Sequence, residues 1–139
     1  MKFIYCTLIV FVATIVSAQN VNQFDANGKR HGVWKKYFDD TTVLRYEGEF
    51  VHGKEVGMFK FYKNINNEAI LTATKQFGEN DDKAYVTFFA SKGKVISEGQ
   101  MEGKTYIGIW KYYQKNSNEL LTLEHYDDFG NLTGERFVY

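Results

Sequence analysis

Short runs rich in aromatic and β-branched residues alternate with polar segments along most of the chain. The runs cover residues 33–38, 43–50, 58–62, 69–77, 84–89, 94–101, 109–113 and 119–126. Between them stand polar segments such as Asp39-Asp40-Thr41-Thr42, residues 63–68, residues 91–93 and residues 114–118. No stretch of helical length places apolar residues at i, i+3, i+4 and i+7, so the periodicity predicts strands and not helices. Strands of five to nine residues joined by short polar loops predict an antiparallel meander of β-hairpins.

The pattern repeats. Trp34, Phe59, Tyr85, Trp110 and Arg136 follow one another at steps of 25, 26, 25 and 26 residues. Three residues after each comes an aromatic: Tyr37, Tyr62, Phe88, Tyr113 and Tyr139. Two residues before each stands Gly32, Gly57, Lys83, Gly108 or Gly134. Further upstream lie Gly28-Lys29, Gly53-Lys54 and Gly103-Lys104, with Gly130 in the matching place of the last unit. Phe24, Phe50, Phe77, Met101 and Tyr126 open the successive units. The third unit is degenerate, since residues 79–83 replace its glycine pair, and the fifth is half a unit. These spacings predict an all-β, elongated, twisted repeat sheet of about 4.5 units of 25–26 residues. Positions three apart on a strand face opposite sides, which assigns the Trp and Tyr positions to different faces.

The segment Gly28-Lys29-Arg30-His31-Gly32-Val33-Trp34-Lys35-Lys36-Tyr37 resembles the MORN repeat. It is more similar still to the bacterial variant found in exported proteins and in the YwqK-type antitoxin family. The resemblance spans about residues 24–139. Residues 53–62 fit with Phe59 in place of Trp, and residues 103–113 fit with one extra residue between the glycines. It implies a hairpin repeat architecture; repeat scaffolds serve many roles, so it specifies function poorly.

The N-terminus reads differently. Lys2 is followed by an uncharged apolar run over residues 3–16, and Val16-Ser17-Ala18 places small residues before Gln19. Fourteen residues fall short of a bilayer core of ~30 Å but suit a secretory signal. Residues 1–18 are therefore expected to be a signal peptide and 19–139 a single domain, periplasmic or extracellular after cleavage, with a retained anchor as the alternative. Cleavage removes Cys6, the only cysteine, so the mature chain forms no intramolecular disulfide. It also removes Lys2, taking 17 positive against 17 negative charges to 16 against 17. A formal net of −1 lacks the basic excess of a dedicated nucleic-acid binder.

No set of residues marks an enzyme. The Gly-Lys pairs are followed by neither the spacing nor the helix of a phosphate-binding loop, and read as turns. His31, His52 and His125 sit in separate units, with no thiolate beside them to complete a zinc site. Ser91, Ser97 and Ser117 have no histidine at a helpful spacing. The acidic pairs Asp39/Asp40, Asp81/Asp82 and Asp127/Asp128 read as turn residues bonding their own backbone. No cofactor or metal is expected.

The lysines recur instead. Lys29, Lys54 and Lys104 follow turn glycines, and Lys35, Lys60 and Lys111 follow the Trp position. Equivalent strands of successive hairpins lie ~10 Å apart, so repetition should draw two rows of positive charge. One row would follow a sheet edge and the other the Tyr face, balanced in part by Glu47, Glu49, Glu98 and Glu124. The expected role is a protein-binding or scaffold surface at the cell envelope. The alternatives are peripheral contact with acidic lipids through the lysines, and antitoxin-like neutralisation of a partner protein.

Overall fold

The computed structural model describes residues 20–78, 82–115 and 117–138. The expected signal peptide, residues 1–18, and its expected cleavage site, together with Asp81 and Tyr139, lie outside the described residues. Ten antiparallel strands form one sheet in strict chain order. They are β1 (Gln23–Phe24), β2 (Arg30–Tyr37), β3 (Leu44–Val51), β4 (Lys54–Ile65) and β5 (Glu68–Phe77), followed by β6 (Lys83–Phe89), β7 (Val95–Glu102), β8 (Thr105–Tyr113), β9 (Leu120–Tyr126) and β10 (Leu132–Phe137). The all-β hairpin meander is what the hydrophobic pattern predicts. The sheet is open, and no helix or second sheet packs on it among the described residues.

The turns follow from their residues. His52-Gly53 and Asn66-Asn67 each supply two successive positive φ angles, the requirement of a two-residue turn whose twist matches its strands. Gly103-Lys104 solves the same problem with one positive φ, at Gly103. The β1–β2 and β9–β10 turns are alike. Asp25 Oδ1 accepts from the backbone N–H of Asn27 and Lys29, and Asp127 Oδ1 from those of Phe129 and Asn131. Gly28 and Gly130 take the positive-φ position in each. Asp127 is thus a turn residue bonding its own backbone.

The strands begin earlier than the hydrophobic runs. β2, β4 and β8 run through Gly32, Gly57 and Gly108, which have φ of 77°, 64° and 66°. These glycines therefore sit inside the strands. At Gly57 and Gly108 they release the register. Between the pairs Glu47↔Lys60 and Glu49↔Val56, Gly48 alone opposes Gly57, Met58 and Phe59. Gly99 likewise opposes Gly108, Ile109 and Trp110. A second series of bulges, each one residue long, leaves Arg45, Thr72, Ile96 and Leu121 unpaired on β3, β5, β7 and β9.

The register reveals a longer period. β7 repeats β3 and β8 repeats the start of β4 at an offset of 51 residues, with Glu47, Gly48, Gly57, Phe59 and Tyr62 recurring as Glu98, Gly99, Gly108, Trp110 and Tyr113. Alternate hairpins are thus the closest equivalents.

The core lies on one face of the sheet, hereafter the inner face. Phe59 and Trp110 are its largest fully buried side chains. Each ring lies flat on a glycine: Phe59 on Gly48 and Trp110 on Gly99, where a Cβ would overlap the ring. Ala84, Val86 and Met101 close around Trp110.

In the third unit the two aromatic positions exchange faces. Gly99 and Met101 are inner residues, so their pairing partners Val86 and Ala84 are inner as well, while Tyr85 pairs with the outward Gln100. Phe88 accordingly joins the core, and Tyr85 stands on the outer face at 41% exposure. The cause is the missing bulge: Lys83 replaces the glycine, and β6 runs in unbroken register from Lys83 to Phe88.

Candidate functional site

The inner face carries a continuous file of rings. Phe24, Trp34, Phe50, Phe59 and Phe77 meet edge to face, with successive centroids 5.1, 6.0, 5.2 and 5.5 Å apart. In the second half Tyr106 stacks on Trp110 at 4.1 Å and meets Tyr126 at 5.7 Å. The indole N–H of Trp110 donates to the Gln100 carbonyl at 2.8 Å, and that of Trp34 to the Gln23 carbonyl at 3.1 Å. Burial differs. Trp110 is fully buried, whereas Trp34, with only the two-residue β1 on one side, is half-buried. Phe24 is 63% exposed.

The outer face carries the Tyr position and one lysine series. Lys35 and Lys60 flank Glu47 across the ladder, at 3.9 and 3.8 Å, and Lys111 lies 3.6 Å from Glu98. The Tyr62 hydroxyl donates to Glu47 at 2.8 Å and that of Tyr113 to Glu98 at 2.7 Å. Burial and the neighbouring carboxylate push both phenols up to about 12. The strand before that of Tyr37 is the two-residue β1, which supplies no glutamate, and Tyr37 is exposed. Within Lys35, Lys60 and Lys111, therefore, each ammonium faces a carboxylate.

The other lysine series lies at the end of the sheet that holds the β1–β2, β3–β4 and β7–β8 turns. Lys29 and Lys54 occupy matching register positions, immediately before the residues paired with Phe24 and Phe50. Lys104 stands one residue earlier, inside its turn, where Thr105 takes the matching place. That shift is the extra residue between Gly103 and Gly108. Lys54 reaches Asp82 at 3.3 Å, and the Lys29 stem lies where a Cβ built on Gly53 would meet it at 3.5 Å.

The same end brings His31 and His52 together, which their separation in sequence does not suggest. Their rings lie 4.9 Å apart, and His52 Nδ1 is 2.7 Å from Asp25 Oδ2. That contact, with the backbone N–H donors of the turn, lowers the Asp25 carboxyl to about 2. Both histidines are exposed, and no group of three metal-ligating side chains occurs among the described residues. Gly134 lies in β10 beside a register shift, without a positive φ.

Sequence reasoning missed Gly48 and Gly99, although their spacing of 51 residues was available. It also missed a cavity of ≈ 530 Å³ on β2–β4, lined by Arg30, Trp34, Lys36, Arg45, Tyr46, Phe61 and Tyr62. Comparisons with protein-family models, curated proteins and solved structures gave no match.

Proposed function

We propose that this chain is a non-enzymatic, exported repeat module that binds another protein at the cell envelope through the inner face of its sheet. One observation carries the reading. The inner face is a file of aromatic rings on a single-layer sheet, and at its β1–β2 end Phe24 is exposed and Trp34 only half-buried. Partly exposed Trp, Tyr and Phe beside Arg compose the surface that protein interfaces favour. The likeness of residues 28–37 to the MORN repeat adds a scaffold role to this reading. The location rests on the signal-like residues 1–18.

Contact with acidic lipid through the lysines has less support. Glu47 and Glu98 stand against Lys35, Lys60 and Lys111, and Asp82 against Lys54, so much of the positive field is cancelled locally.

The test is capture from envelope extracts, identification by mass spectrometry, and calorimetry with the purified partner. Phe24→Ser should weaken that binding at least tenfold while leaving the thermal transition in place. A partner bound equally well by Phe24→Ser would move the interface off this face. Flotation with anionic vesicles, in the absence of any protein partner, would favour the lipid alternative.

A further inference from the structure

The cavity on β2–β4 concentrates cations without acids. Arg30, Lys36 and Arg45 line it together with the rings of Trp34, Tyr46, Phe61 and Tyr62, and no carboxylate does. Arg30 is held in place: its guanidinium lies 4.8 Å from the Trp34 ring centre and 5.2 Å from that of Phe50. Its Nη1 donates to the Tyr46 hydroxyl at 3.4 Å. A guanidinium held beside two rings still has N–H donors to offer a planar anion. Arg45 is the bulged residue of β3, which gives its side chain a direction regular pairing would not, and it lies 5.8 Å from the Phe38 ring. Neither arginine has an ion pair within the chain among the described residues. Lys36 has only Asp39, at 3.9 Å between two exposed groups.

The outer face makes a sharp contrast. There each ammonium of the Lys35, Lys60 and Lys111 series faces a glutamate. The chain as a whole carries equal numbers of both charges. Two arginines without an ion pair among the described residues, and a lysine with only a long, exposed one, around one ring-lined hollow are thus a local departure from the pattern of this molecule. Its volume, ≈ 530 Å³, suits a few side chains of a partner.

We infer that this cavity is the recognition site for an acidic segment of the protein partner, in which carboxylates meet Arg30 and Arg45 and an adjacent ring packs on Trp34 and Phe61. The inference rests on the protein-binding reading above and narrows it to one site and one chemistry. Arg and Trp in a partly enclosed hollow are the residues on which interface energy concentrates. Fork-shaped guanidinium groups select carboxylate geometry over a neutral amide.

The experiment titrates the 15N-labelled protein, in its processed form, with the peptide Ac-Glu-Asp-Phe-Asp-Glu-NH2 and with its neutral counterpart Ac-Gln-Asn-Phe-Asn-Gln-NH2. The acidic peptide should shift the Trp34 indole and the Arg30 and Arg45 side-chain signals, leaving the buried Trp110 indole unmoved as an internal reference. Arg30→Gln with Arg45→Gln should weaken binding about tenfold, the sum of two partly exposed charge contacts. Arg45→Gln alone, which disturbs no core contact, should give part of that loss. Equal shifts from the neutral peptide, or unchanged affinity in the double variant, would overturn the site. Phosphatidylserine vesicles that move these signals where the peptide does not would overturn it in favour of a lipid. An envelope protein that binds the double variant with parental affinity would remove this site and leave the broader reading standing. If no envelope protein binds the parent, the broader reading falls, and the protein occupant with it.

Discussion

Trp110 lies flat on Gly99: a Cβ built on Gly99 would stand 2.5 Å from indole Cδ2 and 2.6 Å from Cγ. The nearest atoms all belong to a fully buried ring that Phe88, Tyr106 and Tyr112 hold in place. A methyl group there has nowhere to go. Gly99→Ala should cost about 1–3 kcal/mol by overpacking, and Gly48→Ala a similar amount through Phe59. Gly134→Ala, whose nearest neighbour is His125 Cβ at 3.8 Å, should stay within about 0.5 kcal/mol. Urea denaturation of the three variants measures this, and equal midpoints would refute the ring-on-glycine account.

The two tryptophans should differ. Trp110→Ala empties the best-packed site of the molecule and should cost about 3–5 kcal/mol, a large part of a small domain's stability. Trp34→Ala removes a half-buried ring and should cost about half as much. Denaturation monitored by circular dichroism checks the order; a larger loss at Trp34 would contradict the burial pattern.

The Asp25–His52 contact gives a pH signature. The folded carboxyl is lowered from 3.8 to about 2, first by the His52 hydrogen bond and then by the backbone of its turn. A depressed carboxylate contributes stability that is fully present above its unfolded value and is lost as pH falls through the folded one. The advantage of the parent over Asp25→Asn should therefore be constant above about pH 5 and shrink between pH 4 and pH 2. Thermal unfolding of both proteins across that range tests it, and a gap that widens on acidification would reverse the assignment.

Removing the near-turn lysines should leave membranes indifferent. Lys29→Gln, Lys54→Gln and Lys104→Gln together should change vesicle binding little, since Lys104 is out of register with the other two and Lys54 faces Asp82. If these residues did hold an acidic bilayer, the triple variant would lose roughly 3 kcal/mol, about a hundredfold, because each charge near such a surface is worth about 1 kcal/mol. Flotation at two salt concentrations separates the cases.

Much of the architecture was legible because the hairpin period is written in large residues. Aromatic positions and turn glycines mark a meander even where one unit has decayed. What escaped reading depended on small residues and on register. Gly48 and Gly99 follow glutamates within ordinary strands, and nothing local marks them as seats for rings. The exchange of faces at Tyr85 and Phe88 comes from a bulge that is missing, which a count of residues between aromatics does not register. The cationic hollow needed the bulge at Arg45, because alternation alone would not assign that side chain to the face that bears Arg30 and Lys36.

The strict chain order of the strands also bears on how such a molecule could change in length. Every strand pairs only with its neighbours in sequence, so no distant segment locks the array at ten. The exact offset between β3–β4 and β7–β8 supplies matching cut points. Deleting residues 51–101, or inserting a further copy of them, would rejoin a strand to its own counterpart with turn, bulge and ring seat in phase. The heritable unit is then a block of two hairpins, and a chain built this way can gain or lose binding surface by recombination without first solving a new fold.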